Sequence, residues 1–328
     1  MLIVLALTAG LPSCRQGDPQ RYMIYGPQVC AVCLSPDGKF LASGGRDCRI
    51  SVWDVARRAG IATIELKDQF VTLLVFSPDG KTLASATACN GTITLWDGRT
   101  FVKKASFNIG SEGLLALAYS PDGKIIAAGQ GKSIKLLESA TGKCIRTLAA
   151  SGDDVRDIAF SPDGHTLASG GLDEKVRLWD VASGQNIAVL GGETWIASVA
   201  FSGDGQTLAS GDARGTITLW DVRTASKVGA IKAYVNNREV SCLASAGSKI
   251  ASGGDDGWIK LWDFGTRREL LAIHAHSYAV SSLSLQSDGK KLASGSYDGT
   301  AKVWDLTSGT AIAIFHDNEG ADTVEKSR

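Results

Sequence analysis

Histidine is close to missing from this chain, with four residues in 328. That leaves little for a histidine-rich metal site. Net charge is missing too: 34 Lys and Arg balance 34 Asp and Glu, so bulk charge points to neither nucleic acid nor an anionic membrane. No nucleophile elbow of the G-x-S-x-G form occurs. Proline is scarce at 7 residues while glycine reaches 38, the balance of a chain with many tight turns. The cysteines (Cys14, Cys30, Cys33, Cys48, Cys89, Cys144, Cys242) follow no regular framework, so small unpaired thiols are expected rather than a disulfide scaffold.

What is present is repetition. The block Ser161-Pro162-Asp163-Gly164, then Leu167-Ala168-Ser169-Gly170, then Trp179-Asp180 returns through the chain in near copies. Trp53-Asp54, Trp96-Asp97, Trp179-Asp180, Trp220-Asp221, Trp262-Asp263 and Trp304-Asp305 each close one copy, and a seventh ends in Leu137-Glu138. Ser-Pro-Asp-Gly suits a type I turn, with Pro at its second position and Gly at its fourth. Lys175 to Trp179 alternates like a half-buried strand. The short loops leave no room for a crossover helix, so the strands pair antiparallel and the chain is all-β.

A period of about 42 residues with four short strands and a Trp-Asp ending resembles the WD40 repeat, the unit of a β-propeller. The resemblance covers roughly residues 21 to 315, and the Ser-Pro-Asp-Gly blocks look like those of bacterial WD-repeat proteins. It implies a seven-bladed propeller over 29–315 with four antiparallel strands per blade, preceded by a lead-in at 15–28 and followed by a polar tail at 316–328. It also implies a buried hydrogen-bond set in each blade. His276, Ser294, Asp298 and Trp304 match that set fully. Units one, four and six keep Ser, Asp and Trp, with Tyr25, Ser151 and Asn236 read at the histidine position. Unit two carries Asn90 for Asp, unit five carries Arg214, and unit three loses the set at Ala127, Gly131 and Leu137. For ring closure, Gln20 to Tyr25 competes with Ala311 to Phe315; Pro19 spoils the first, so the second is expected to complete the last blade.

The N-terminus carries a separate signal. Leu2 to Leu7 is too short to span a bilayer and reads as the apolar part of a secretory signal. Leu11-Pro12-Ser13-Cys14 resembles a lipobox, which would make 1–14 a signal segment and place a lipid on Cys14. On that reading the protein belongs to the cell envelope, on the periplasmic side, held to the membrane only by that lipid. Without it, 1–13 is a surplus strand or the product of a start site inside a longer gene, and the protein is cytoplasmic.

Chemistry-bearing patterns fail on inspection. Gly129-Gln130-Gly131-Lys132-Ser133 lacks the upstream glycine of a phosphate loop, where Ile126 stands, and a strand follows it. Cys30 and Cys33 sit in one strand, three apart, pointing to opposite faces. His276 is taken by the blade set, which leaves His274 alone. No catalytic residue, metal or cofactor is assigned. The expectation is a monomeric, non-enzymatic scaffold that binds a protein or peptide and no nucleic acid. The alternatives are an envelope protein holding a small molecule or glycan in the channel, and a propeller-fold enzyme. On the loop-bearing face the family places binding. That face maps here to Arg46, Phe70, Glu112, Asp153, Trp195, Arg238, Asp255, Tyr278 and Tyr297. The loop between Trp220 and Val240 is longer than its counterparts, adding Ala233 to Arg238, so Tyr234, Asn236, Asn237 and Arg238 are expected to share a binding sector with Trp195.

Overall fold

A computed structural model describes residues 28–66, 69–87, 90–150 and 152–316. The signal reading at 1–14, Cys14, Tyr25, Ser151 and the tail beyond 316 fall outside them. The described residues form seven four-stranded antiparallel sheets and no helix. Each sheet is one blade of strands consecutive in sequence: 29–65, 71–108, 114–149, 155–191, 196–232, 240–274 and 280–316. The first strands touch one another in a closed circuit, blade 7 against blade 1 included, so they form the inner wall of a ring.

The repeated block explains each blade. In blade 1 the Ser35 hydroxyl donates to Asp37 Oδ1 at 2.7 Å and accepts from the Phe40 N–H at 2.9 Å, which locks the first turn. Gly38 closes that turn at φ 67, where a side chain is strained. The same serine–aspartate bond recurs at Ser77, Ser120, Ser161 and Ser202. Blade 6 uses a tighter hairpin instead, with Ala246 opposite Lys249, so its period is kept despite the long loop before it.

Each tryptophan that ends a third strand donates its indole N–H to the serine of the second strand: Trp53 to Ser43, Trp96 to Ser85, Trp179 to Ser169, Trp220 to Ser210, Trp262 to Ser252 and Trp304 to Ser294. These rings also join blades. Trp96 packs on Ile50 and Val52 of blade 1, and Trp53 packs on Val303 and Phe315 of blade 7. Truncating such a ring costs about 3–5 kcal/mol.

In blade 7 the bonds continue. The Ser294 hydroxyl lies 2.7 Å from His276 Nε2, and His276 Nδ1 lies 3.0 Å from Asp298 Oδ2. Burial pushes the imidazole below its ordinary pKa, so the ring is neutral and Nδ1–H donates to the carboxylate. Although burial opposes it, the bonds from His276 and Thr300 hold Asp298 well below the usual carboxylate range. In blade 2, Asn90 takes the aspartate's turn role, accepting from the Thr87 hydroxyl at 2.8 Å. In blade 5 the turn is held by Asp212, which accepts from the Arg214 and Thr216 N–H groups.

Blade 3 keeps the Ser120–Asp122 turn bond and forms all four strands without the indole bond. Leu137 is fully buried against Ala84, Ala86, Ile93 and Leu95 of blade 2. Without the indole–serine bond, the strands across 114–137 are expected to exchange their amide hydrogens fastest of all the strand segments. Hydrogen exchange read by mass spectrometry checks this; equal protection in all seven blades would refute it.

Among the described residues the ring closes without a shared strand. Ala311 to Phe315 lies in the last strand, Thr310–His316, which pairs along the strand that carries Trp304. His316 therefore ends a strand rather than opening the tail. Serines seal the seam with blade 1: Ser282 and Ser284 hydroxyls accept from the Val32 and Leu34 N–H groups at 3.1 and 3.0 Å, and Ser281 donates to the Val29 carbonyl at 2.7 Å. Trp53 stacks on Phe315 with ring centroids 4.8 Å apart.

Candidate functional site

One backbone irregularity, repeated in every blade, shapes the channel. The register of each first strand slips once, at Cys30, Thr72, Leu115, Arg156, Ala197, Ser241 and Ser281, which form a bulge. A bulge re-aims its side chain. These seven are half-buried, each after a fully buried apolar residue such as Val29, Val71 or Val155. Six of them are uncharged and Arg156 is the exception. A second device fixes the mouth above. Arg46, Leu172, Ala213, Asp255 and Tyr297 each donate a backbone N–H to the carbonyl of the residue preceding a first strand: Gln28, Asp154, Trp195, Glu239 and Ala279. The loops between second and third strands are thereby tied to the inner wall.

Charged groups from blades 1, 4 and 6 lie near the Tyr297 hydroxyl of blade 7 there. Burial and the nearby Asp255 lift the Glu239 carboxyl to about 7 despite the Arg156 guanidinium. Tyr297 leaves 38% of its surface to solvent, yet its hydroxyl sits deep among protein atoms, and burial pushes it up to about 12. Its hydroxyl also feels Arg46, Arg156 and Glu239. Arg238 meets the Asp255 carboxylate at 3.7 Å. Burial raises the Asp255 carboxyl, and its Oδ1 has no hydrogen-bond partner among the described residues.

The residues expected on this face divide. Tyr297 lies within electrostatic reach of Arg46, Arg156 and Glu239. Phe70 and Trp195 are half-buried, and Tyr278 is 66% exposed. Asn236, Asn237 and Arg238 are exposed; the two asparagines stand at φ 57 and 54, so they turn the long loop.

Tyr234 corrects the sequence reading. It is 2% exposed, and its hydroxyl lies 3.1 Å from Ser252 Oγ and donates to the Ser252 carbonyl at 3.0 Å. It stands where His276 stands in blade 7, so the set of blade 6 is completed by Tyr234, not Asn236, and no partner reaches it. Arg156 and Glu239 were missed by sequence reasoning. The signal for Arg156 was a lone charge at a position that is otherwise small or apolar.

Elsewhere, Gly129 to Ser133 is a hairpin, with Gln130 opposite Ser133. Cys33 is buried between blades 1 and 2, and Cys33, Cys144 and Cys242 are free thiols. His274 is exposed beside Trp258 at 5.2 Å between ring centroids, turned away from the buried His276. Among the described residues no group of three or more His, Cys, Asp or Glu is placed to hold a metal ion.

Comparison with known proteins agrees with the repeat. The chain is 26% identical over 168 residues to the nuclear distribution protein nudF of Aspergillus niger, covering 50% of this chain and 38% of that protein. It is 28% identical over 173 residues to the nuclear distribution protein PAC1-1 of Uncinocarpus reesii, covering 51% and 39%. It is 39% identical over 72 residues to the small ribosomal subunit protein RACK1 of Schizosaccharomyces pombe, covering 22% of each. The matches thus span well under half of these relatives. All three are fungal and lend no support to a bacterial likeness. The model of the WD domain, G-beta repeat matches six times, at 20–54, 61–97, 142–180, 184–221, 227–263 and 267–305, passing over the blade that lacks its tryptophan. With those matches covering well over half of its length, the chain belongs to the WD40 family.

Proposed function

We propose that this propeller is a non-catalytic platform that holds a segment of a partner protein across the channel mouth. The observation that carries the reading is the convergence of Arg46, Arg156, Glu239 and Tyr297 from separate blades on one rigid ring. Arginine and tyrosine are the residue types that dominate binding hot spots. Tyr278, Trp195 and Arg238 extend the surface outward. Two relatives support work inside assemblies by their names: RACK1 as a protein of the small ribosomal subunit, and a U3 snoRNP-associated protein-like chain of Arabidopsis thaliana, 30% identical over 84 residues.

The test is quantitative capture with the full chain. Partners held by the wild type are expected to be lost on Arg156→Ala with Tyr297→Ala, with at least ~2 kcal/mol of affinity removed. They should be kept by Lys124→Ala, a change at an exposed residue in a first-to-second-strand turn, at the opposite ends of the strands. Equal capture by all three proteins would sink the reading.

A further inference from the structure

In every blade the fourth strand is the outer edge of its sheet, hydrogen-bonded to a strand on one side only among the described residues. A free edge invites a further strand, and charged side chains are what ordinarily turn one away. Each outer strand carries an ionisable residue except one, Asn186–Gly191 of blade 4. It is also the one outer strand with two large apolar side chains exposed, Ile187 at 57% and Val189 at 53%. The charged residue paired with Val189 inside the sheet is Arg177, and Asp173 holds it at 2.7 Å. The direction of the backbone follows from the strand's end. Gly192 donates its N–H inward to the Glu174 carbonyl at 2.8 Å. Peptide groups alternate in direction along an antiparallel strand. Val189 and Gly191 therefore turn both N–H and C=O outward, and Ile187 turns its carbonyl outward.

We propose that this edge pairs with the same edge of a second copy of the chain, antiparallel about a two-fold axis at Val189, in place of the monomer expected from the sequence. In that register each Val189 exchanges both backbone bonds with Val189 of the other copy, and each Gly191 N–H reaches the other's Ile187 carbonyl. Ile187 comes opposite Gly191, which has no side chain to meet it. A two-fold contact sets each residue near the axis against its own kind, so a charged edge repels itself and this uncharged one does not. The Lys175 ammonium, beside Gly191, falls at opposite ends of the paired strands, away from its copy. The whole chains do not repel either, since 34 Lys and Arg balance 34 Asp and Glu. Two short strands bury less than the roughly 1,200 Å² of a stable complex, so the dimer dissociates on dilution. The edge is separate from the channel mouth, and its test does not depend on that reading.

Sedimentation velocity of the full chain tests this, over a range from about 1 μM to about 1 mM. The wild type is expected to pass from one chain to two as its concentration rises. Val189→Lys sets like charges against each other at the axis and should hold the chain as a monomer, and Val189→Glu should do the same. Both changes are at an exposed side chain, and circular dichroism confirms that the variants fold. An equal mixture of the two variants should dimerise again, at least about tenfold tighter than either alone, because Lys then meets Glu across the axis. Val228→Lys, at a residue 47% exposed on the outer strand of blade 5, should leave the wild-type behaviour unchanged. A wild type that stays a monomer throughout, a dimer that survives Val189→Lys, a dimer lost equally with Val228→Lys, or a mixture that stays monomeric would each overturn the proposal.

Discussion

Phe315→Ala is expected to cost about 3–5 kcal/mol, because it opens the ring where side chains alone hold it. Phe315 is buried and stacks on Trp53 at 4.8 Å. Around it lie Val29, Leu34 and Leu41 of blade 1 and Val303 and Ala313 of blade 7. Every other seam is spanned by the chain as well, running from one blade into the next. At this seam the first and last described strands meet with no covalent link between them across it. Truncation therefore removes an aromatic pair and leaves a cavity at the one joint that the backbone does not bridge. Urea denaturation of the variant beside the wild type measures the cost. A loss below about 1 kcal/mol would show that the serine contacts of the first strands hold the seam without the aromatic pair.

The second large effect is electrical. Asp157 is partly buried between blades 4 and 5, where its Oδ2 accepts from the Ser198 hydroxyl at 2.6 Å and the Val199 N–H at 2.8 Å. No cation meets it. Burial lifts its carboxyl to about 6 against 3.8 for the ordinary group, the bonds notwithstanding. Between those values the folded chain keeps a proton that the unfolded chain has lost, so stability falls as pH rises from about 4 to about 6. Above 6 the fold carries a buried charge. Asp157→Asn keeps an oxygen for Ser198 and Val199 and removes the charge. It is expected to raise stability at pH 7.5 by about 2–3 kcal/mol and to change it little at pH 4, since a pKa unit is worth about 1.4 kcal/mol. Glu239, lifted to about 7, works in the same direction and leaves a smaller slope in the variant. The turn aspartates Asp79, Asp122 and Asp163 act oppositely: backbone and serine bonds lower their carboxyls, so their contribution is lost as pH falls below the ordinary carboxylate range. Urea midpoints at pH 4 and 7.5 decide the matter. A variant less stable than wild type at pH 7.5 would mean that losing the carboxylate's acceptors outweighs removing the charge.

The blades were legible because their causes are local. A serine two residues before an aspartate makes the turn, and a serine ten or eleven residues before a tryptophan makes the indole bond. Spacing alone could find both. Ala311 to Phe315 was legible for the same reason. Tyr234 was misplaced because the loop was indexed from the following strand. Indexed from the serine it serves, Tyr234 to Ser252 repeats the spacing of His276 to Ser294. The meeting of Arg156, Glu239 and Tyr297 was out of reach, since it depends on blades 4, 6 and 7 facing one axis. Leu137 was visible as a substitution in the repeat.

Every blade here is made of consecutive strands, and none lends a strand to its neighbour. In hereditary terms each repeat is a complete unit of copying. A duplicated or deleted stretch carries all of its own backbone pairing with it and never strands a half-made sheet. Only side chains at the joints must be refitted, and a joint can lose its indole, as the third has, while the ring persists.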